Sequence, residues 1–125
     1  MINRMSIAII KQLATHVFST LGSGFSESVY GNALAVMLRL HNIPYEQEVI
    51  IPIQFEGHNV GNTRADFIID KTLIVELKAV TKTMDSAEMN QILMYQRLTG
   101  INNGLLINFT QKTGKDIVFL DSIIE

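Results

Sequence analysis

The chain has 125 residues and a mass of 14.0 kDa, room for one domain spanning 1–125 and hence one site or one working surface. A hydrophobic content of 47% excludes a disordered chain, and a formal net charge of −2 excludes holding nucleic acid by global charge, so any phosphate binding is local. No cysteine is present, which excludes disulfides, thiolate zinc sites and thiol nucleophiles and suits a reducing compartment; a cytoplasmic setting is the expectation. The apolar runs are interrupted well short of the roughly 18 residues a membrane span needs. Lys11 and Gln12 cut off the short apolar run near the N-terminus, and no small-residue cleavage site follows, so neither membrane contact nor export is expected.

Ile9, Leu13, Val17 and Leu21 recur every four residues, with Ile10, Ala14 and Phe18 beside them, and predict a helix over about 4–20. Gly22, Ser23 and Gly24 break it. A second helix is expected from near Ser26, with Val29, Ala33, Val36, Met37 and Leu40 as its buried face, ending at His41, Asn42 and Pro44. From Glu46 the pattern turns β-branched and alternating: Val49 to Phe55 and Thr63 to Ile69 read as a hairpin turning through Glu56–Asn59. Thr72 to Val80 is nearly continuous apolar sequence, a central strand buried on both faces that carries two charges. Asp85 and Glu88 have capping-box spacing for a third helix over 86–99, with Met89, Ile92 and Leu93 inward and Gly100 at its end. Gly104–Phe109 and Ile117–Leu120 close the chain as short strands around a turn at Thr113, Gly114 and Lys115. The order α-α-β-β-β-α-β-β defines an α/β class with a helical crossover between the third and fourth strands.

The chemistry centres on the charged residues of the buried strand. Glu76 and Lys78 lie two apart, so strand alternation points both to one face, with Val75, Leu77 and Ala79 on the other. Burying either charge alone costs several kcal/mol, so the pair is either a static salt bridge or one side of a cleft that meets a cation and a substrate. Asp66 on the preceding strand can bring a second carboxylate to the same point. Two hard oxygen ligands beside an ammonium suit Mg²⁺ or Mn²⁺ rather than zinc, and a phosphodiester as the bond to be cleaved. Arg64, two residues before Asp66, either pairs with an acid or touches phosphate. The three histidines, His16, His41 and His58, have no metal-site or relay spacing.

Asp66 with Glu76-Leu77-Lys78 resembles the bipartite motif of the PD-(D/E)XK nuclease superfamily, with Ala65 where the superfamily name has proline. Gly24-Phe25-Ser26-Glu27-Ser28-Val29-Tyr30 is similar to the motif of its GxxExxY branch, and Gln91 and Tyr95 are similar to the QxxxY pair of RecB-like members. The similarity runs from about Leu21 to Phe109. It implies a restriction-endonuclease-like core, a mixed β-sheet flanked by helices, and a Mg²⁺- or Mn²⁺-dependent nuclease acting on DNA or RNA, with DNA the preferred expectation. It also implies metal ligation by Asp66, Glu76, Glu27 and the Leu77 backbone carbonyl, with Lys78 activating water or stabilising charge. Gln91, Tyr95, Arg64 and Tyr30 would contact substrate or support the site. Read from the residues alone, Tyr30 leans towards a core position filled by its ring. The alternative is a catalytically inactive module of the same fold that binds nucleic acid or a protein partner. A mean hydropathy of +0.23 in so small a chain points towards a second copy, a homodimer.

Overall fold

The computed structural model describes residues 4–125. Its elements are α1 (Arg4–Leu21), α2 (Glu27–Leu40), β1 (Tyr45–Phe55), β2 (His58–Ile69), β3 (Leu73–Lys78), α3 (Ser86–Thr99), β4 (Asn103–Asn108) and β5 (Val118–Ile123). The five strands form one mixed sheet in the order β1-β2-β3-β4-β5. All neighbours are antiparallel except β3 and β4, which run parallel because α3 carries the chain across between them.

Helices cover both faces, so β3 is buried on both sides, as its apolar run predicts. On one face α1 and α2 pack Ile10, Leu13, Leu34 and Leu38 against Phe67, Val75, Leu77, Leu105 and Ile107. On the other, Ile92 and Tyr95 of α3 meet Ile68, Ile74 and Leu106. Gly104 lets α3 sit this close: a Cβ there would lie 2.6 Å from Ile92 Cγ2.

The local signals at α3 are met in full. Asp85 accepts from the Ala87 amide at 3.0 Å, Glu88 accepts from the Asp85 amide at 3.0 Å, and Gly100 ends the helix at φ 75°. The hairpin turn is tighter than expected: Glu56 and Gly57 alone, both at positive φ, link the Phe55 and His58 pair.

Three expectations about buried faces are corrected. In α2 the buried residues are Tyr30, Gly31, Leu34, Ala35 and Leu38, while Val29, Val36 and Leu40 are exposed. Both stripes have helical spacing. The small residues decide between them, since Gly31 lets α2 approach β3 until a Cβ would lie 3.3 Å from Leu77 Cδ1. In α3 Leu93 faces outward, because the inward face is built of Glu88, Ile92, Tyr95 and Gln96, three of them polar. In α1 Ile9 is exposed and Ile7, Ile10, Leu13, Ala14 and Val17 form the core face.

Candidate active site

Strands β2 and β3 are paired only at Ile69↔Leu73, Ile68↔Ile74 and Phe67↔Val75. Beyond that point β2 continues with β1 as a two-stranded arm and β3 stays with β4, so the sheet splits. Asp66 and Glu76 stand at the split and bridge it crosswise. The Leu77 amide donates to Asp66 Oδ2 at 2.7 Å, and the Asp66 amide donates to Glu76 Oε1 at 3.3 Å. Side-chain oxygens thus accept both backbone amides where the strand pairing stops, which removes the cost of leaving these N–H groups unpaired.

Glu76 is 4% exposed and its second oxygen lies 3.1 Å from the Tyr95 hydroxyl. Burial pushes its carboxyl up, to about 8, helped by the hydrogen bond and the charge of Asp66; Tyr95 and Lys78 pull the other way. The Tyr95 hydroxyl accepts from Gln91 Nε2 at 2.9 Å and has one proton for two neighbours, the Arg64 carbonyl at 2.9 Å and Glu76 Oε2. Near neutral pH, without a cation, Glu76 therefore holds a proton beside Asp66.

The split opens into a cleft of about 300 Å³ lined by Glu27, Gly31 and Asn32 of α2, Gln47 and Glu48 of β1, Arg64 and Asp66 of β2, and Leu77 of β3. Glu27 opens α2, where an acid is stabilised by the helix dipole. Although the residue as a whole is exposed, loss of hydration against the cleft wall raises its carboxyl above the usual range. Lys78 opposes this and Asp66 adds to it. Lys78, half-buried at the end of β3, therefore acts through space on both Glu27 and Glu76. Arg64 is exposed on the cleft wall and pairs with no acid among the described residues.

The sequence-based candidates are brought together unequally. Asp66, Glu76, Tyr95, Gln91 and the Arg64 backbone form one connected network, with Lys78 and Glu27 within electrostatic reach. Among the described residues no three acidic, His or Cys side chains converge closely enough to hold one ion, so Glu27 stands apart from the Asp66 and Glu76 pair. Tyr30 is not in the cleft. Its ring stacks on Phe109 at 4.6 Å and its hydroxyl donates to the Gly22 carbonyl at 2.6 Å, which fixes the turn that delivers Glu27. Lys82 lies away from the cleft too, paired with Glu88 at 2.6 Å.

Two supporting residues escape the sequence reading. Gln111 accepts from the Gly24 amide at 2.6 Å and donates to the Tyr30 hydroxyl at 3.1 Å, tying the loop after β4 to the turn before Glu27. Asn108, buried in β4, grips both the N–H and the carbonyl of Val80 and so sets the path of the chain leaving Lys78. Neither has a local motif; both act across more than 20 residues of sequence.

The donor set can be tested against a divalent cation. Two carboxyls in contact beside a cleft, one of them held protonated by burial and by its neighbour, form a hard-oxygen pair whose repulsion a cation would relieve, and the residues present suit a divalent cation that takes oxygen ligands.

A mixed sheet splitting over paired carboxyls, with helices on both faces, defines a single α/β domain. Residues 4–118 match the PD-(D/E)XK nuclease superfamily, and the chain belongs to that superfamily. Two solved structures are similar to it. One is the crystal structure of SSO0001, at 22% identity and a TM-score of 0.60 over 77% of this chain. The other is an alkaline exonuclease from Laribacter hongkongensis, at 8% identity and a TM-score of 0.56 over 100% of this chain and 72% of its own. The chain spans 48% of the length of SSO0001. At these identities the likeness shows the fold. No curated protein matches the sequence. Among the described residues no helix is long and apolar enough to cross a membrane.

Proposed function

We propose that this protein is a Mg²⁺- or Mn²⁺-dependent nuclease of the GxxExxY branch that hydrolyses phosphodiester bonds, in DNA rather than RNA. The observation that carries this reading is the crosswise hydrogen bonding of Asp66 and Glu76 at the split of β2 and β3, with Asp66 lining a cleft that Arg64 and Glu27 also line. Asp66, Glu76 and the Leu77 carbonyl would hold the ion, with Glu27 reaching it directly or through water. When bound, such an ion lowers the pKa of a coordinated water and polarises a phosphoryl oxygen.

The chain's own groups do the rest. Lys78 stabilises negative charge that builds up on the phosphate and pulls the carboxyls of Glu27 and Glu76 towards their ionised forms, against the burial that raises both. Arg64, which closes no ion pair among the described residues, presents a planar fork to a phosphate. Tyr95 and Gln91, the QxxxY pair, orient Glu76 from behind. The expectation of cytoplasmic action rests on the absence of cysteine, and a homodimer would find an apolar surface in Val29, Val36 and Leu40 of α2. The test is cleavage of single- and double-stranded DNA and RNA with Mg²⁺ or Mn²⁺: wild-type cleavage and its loss in Asp66→Asn support the reading.

A second reading is a non-catalytic module of the same fold that binds nucleic acid or a protein partner. It is favoured by one observation: Glu27 does not join Asp66 and Glu76 in a common ligand set. Partner binding that survives neutralising all three acids, without cleavage by the wild type, would establish it.

A further inference from the structure

A second and larger recess, of about 470 Å³, opens at the carboxyl ends of the parallel strands β3 and β4. Lys82 enters it from the loop after β3, and Lys112 and Lys115 from the loop after β4. These are half of the chain's six lysines, brought together in a protein of net charge −2; Asp116 lines the same recess, and Glu88 and Asp85 act on Lys82. Lys82 is held in place by Glu88, whereas Lys112 and Lys115 close no ion pair among the described residues. Like charges gathered this way repel one another unless an anion lies between them. Thr81 and Thr83 add hydroxyl donors to the same wall.

The two loops are also braced against each other. The Val80 carbonyl accepts from the Gln111 amide at 3.1 Å and from the Thr110 hydroxyl at 3.4 Å, and Asn108 holds the Val80 amide at 3.1 Å. The lysines are therefore presented from a preorganised frame, which lowers the entropic cost of gripping a ligand.

We infer that this recess is a phosphate-binding site that grips the backbone of a nucleic-acid strand leaving the Asp66 and Glu76 cleft, an inference that rests on the nuclease reading above. Thr81 follows Lys78 by three residues, a span of at most about 10 Å, so one strand can reach both places. Ammonium groups act as point charges rather than base-reading forks, so the grip is independent of sequence. Free phosphate or a mononucleotide shares the chemistry and is separated from a strand by the test.

The experiment uses the full chain and Lys112→Ala/Lys115→Ala, both exposed loop positions. Fluorescence anisotropy with a labelled 20-nucleotide single strand, in EDTA, gives affinity as a function of salt. Amide chemical shifts are followed with the same oligonucleotide and with pyrophosphate. The expected result is a roughly tenfold weaker affinity in the double variant and a salt slope shallower by about one to two, with oligonucleotide-induced shifts at residues 81–83 and 110–115. Oligonucleotide binding that is unchanged in the double variant overturns the inference and leaves the cleft's assignment standing. Shifts from pyrophosphate without any from the oligonucleotide overturn the strand assignment, and the absence of both overturns the site. Lysine-dependent strand binding by a protein that neither binds Mg²⁺ nor cleaves supports this site while the nuclease reading fails.

Discussion

Asp66 and Glu76 each sit where a backbone ladder stops: Glu76 Oε1 takes the Asp66 amide at 3.3 Å while Asp66 Oδ2 takes the Leu77 amide at 2.7 Å. Of the two carboxyls that close the sheet's split, Asp66 also lines the cleft, with Glu76 buried directly behind it. Structure and chemistry at this point therefore separate only under substitutions that keep an acceptor and remove the charge.

Asp66→Asn keeps a carbonyl oxygen for the Leu77 amide, and its melting temperature is expected to stay within a few degrees of wild type. Asp66→Ala leaves that amide unpaired and is expected to cost about 1–3 kcal/mol. Urea titration of the two variants checks the ordering. Equal stabilities would show that the 2.7 Å hydrogen bond contributes nothing.

The raised Glu76 carboxyl fixes the sign of a pH dependence. Its folded pKa, about 8, lies above the ordinary carboxylate value, so the folded state binds the extra proton. The stability this gives is fully present below the ordinary carboxylate range, near pH 4, and is lost as pH rises through about 8. Without divalent ions the wild type should melt higher at about pH 5 than at about pH 9, and Glu76→Gln should flatten that slope. Thermal melts at a series of pH values decide it; a wild-type stability that rises across this interval contradicts the assignment.

Tyr95→Phe removes the hydroxyl that serves Gln91, the Arg64 carbonyl and Glu76 at once, at an expected cost of roughly 0.5–1.5 kcal/mol. A purely structural hydroxyl would do no more than that. Because Tyr95 also holds the Glu76 pKa down, the variant should shift the titration of Glu76 to higher pH, read by carboxyl-carbon NMR.

The Lys82 ammonium, and then Asp85, hold the Glu88 carboxyl well below the usual carboxylate range. The stabilisation is present above that range and disappears as pH falls through the depressed value, so α3 should fray at its first turn only in strong acid. Hydrogen exchange at residues 86–89 measures this. Glu88→Gln is expected to open the same turn already at neutral pH, since the amide keeps the cap acceptor but loses the ion pair.

Much of this fold is legible because several of its signals are local. The capping box of Asp85 and Glu88, the αL position of Gly100 and the apolar run of β3 each depend on neighbours within a few residues. The Asp66 and Glu76-x-Lys78 constellation is legible because burying charge in a central strand demands an explanation. What the sequence hides is set by contacts across the chain. Either apolar stripe of α2 satisfies helical periodicity, and only the close approach of Gly31 to Leu77 selects the Tyr30 face. Gln111 and Asn108 act on Gly24, Tyr30 and Val80 from more than 20 residues away, and Leu93 looks buried until polar Tyr95 and Gln96 take the inner face.

Isothermal titration of Mn²⁺ into the wild type and Asp66→Asn, at a pH above the Glu76 midpoint, tests the central claim most directly. The account predicts one divalent ion bound by the wild type, with proton release when repeated near neutral pH, and affinity at least tenfold weaker in the variant. Equal uptake by both proteins, or none by either, would contradict a metal centre built on Asp66 and Glu76.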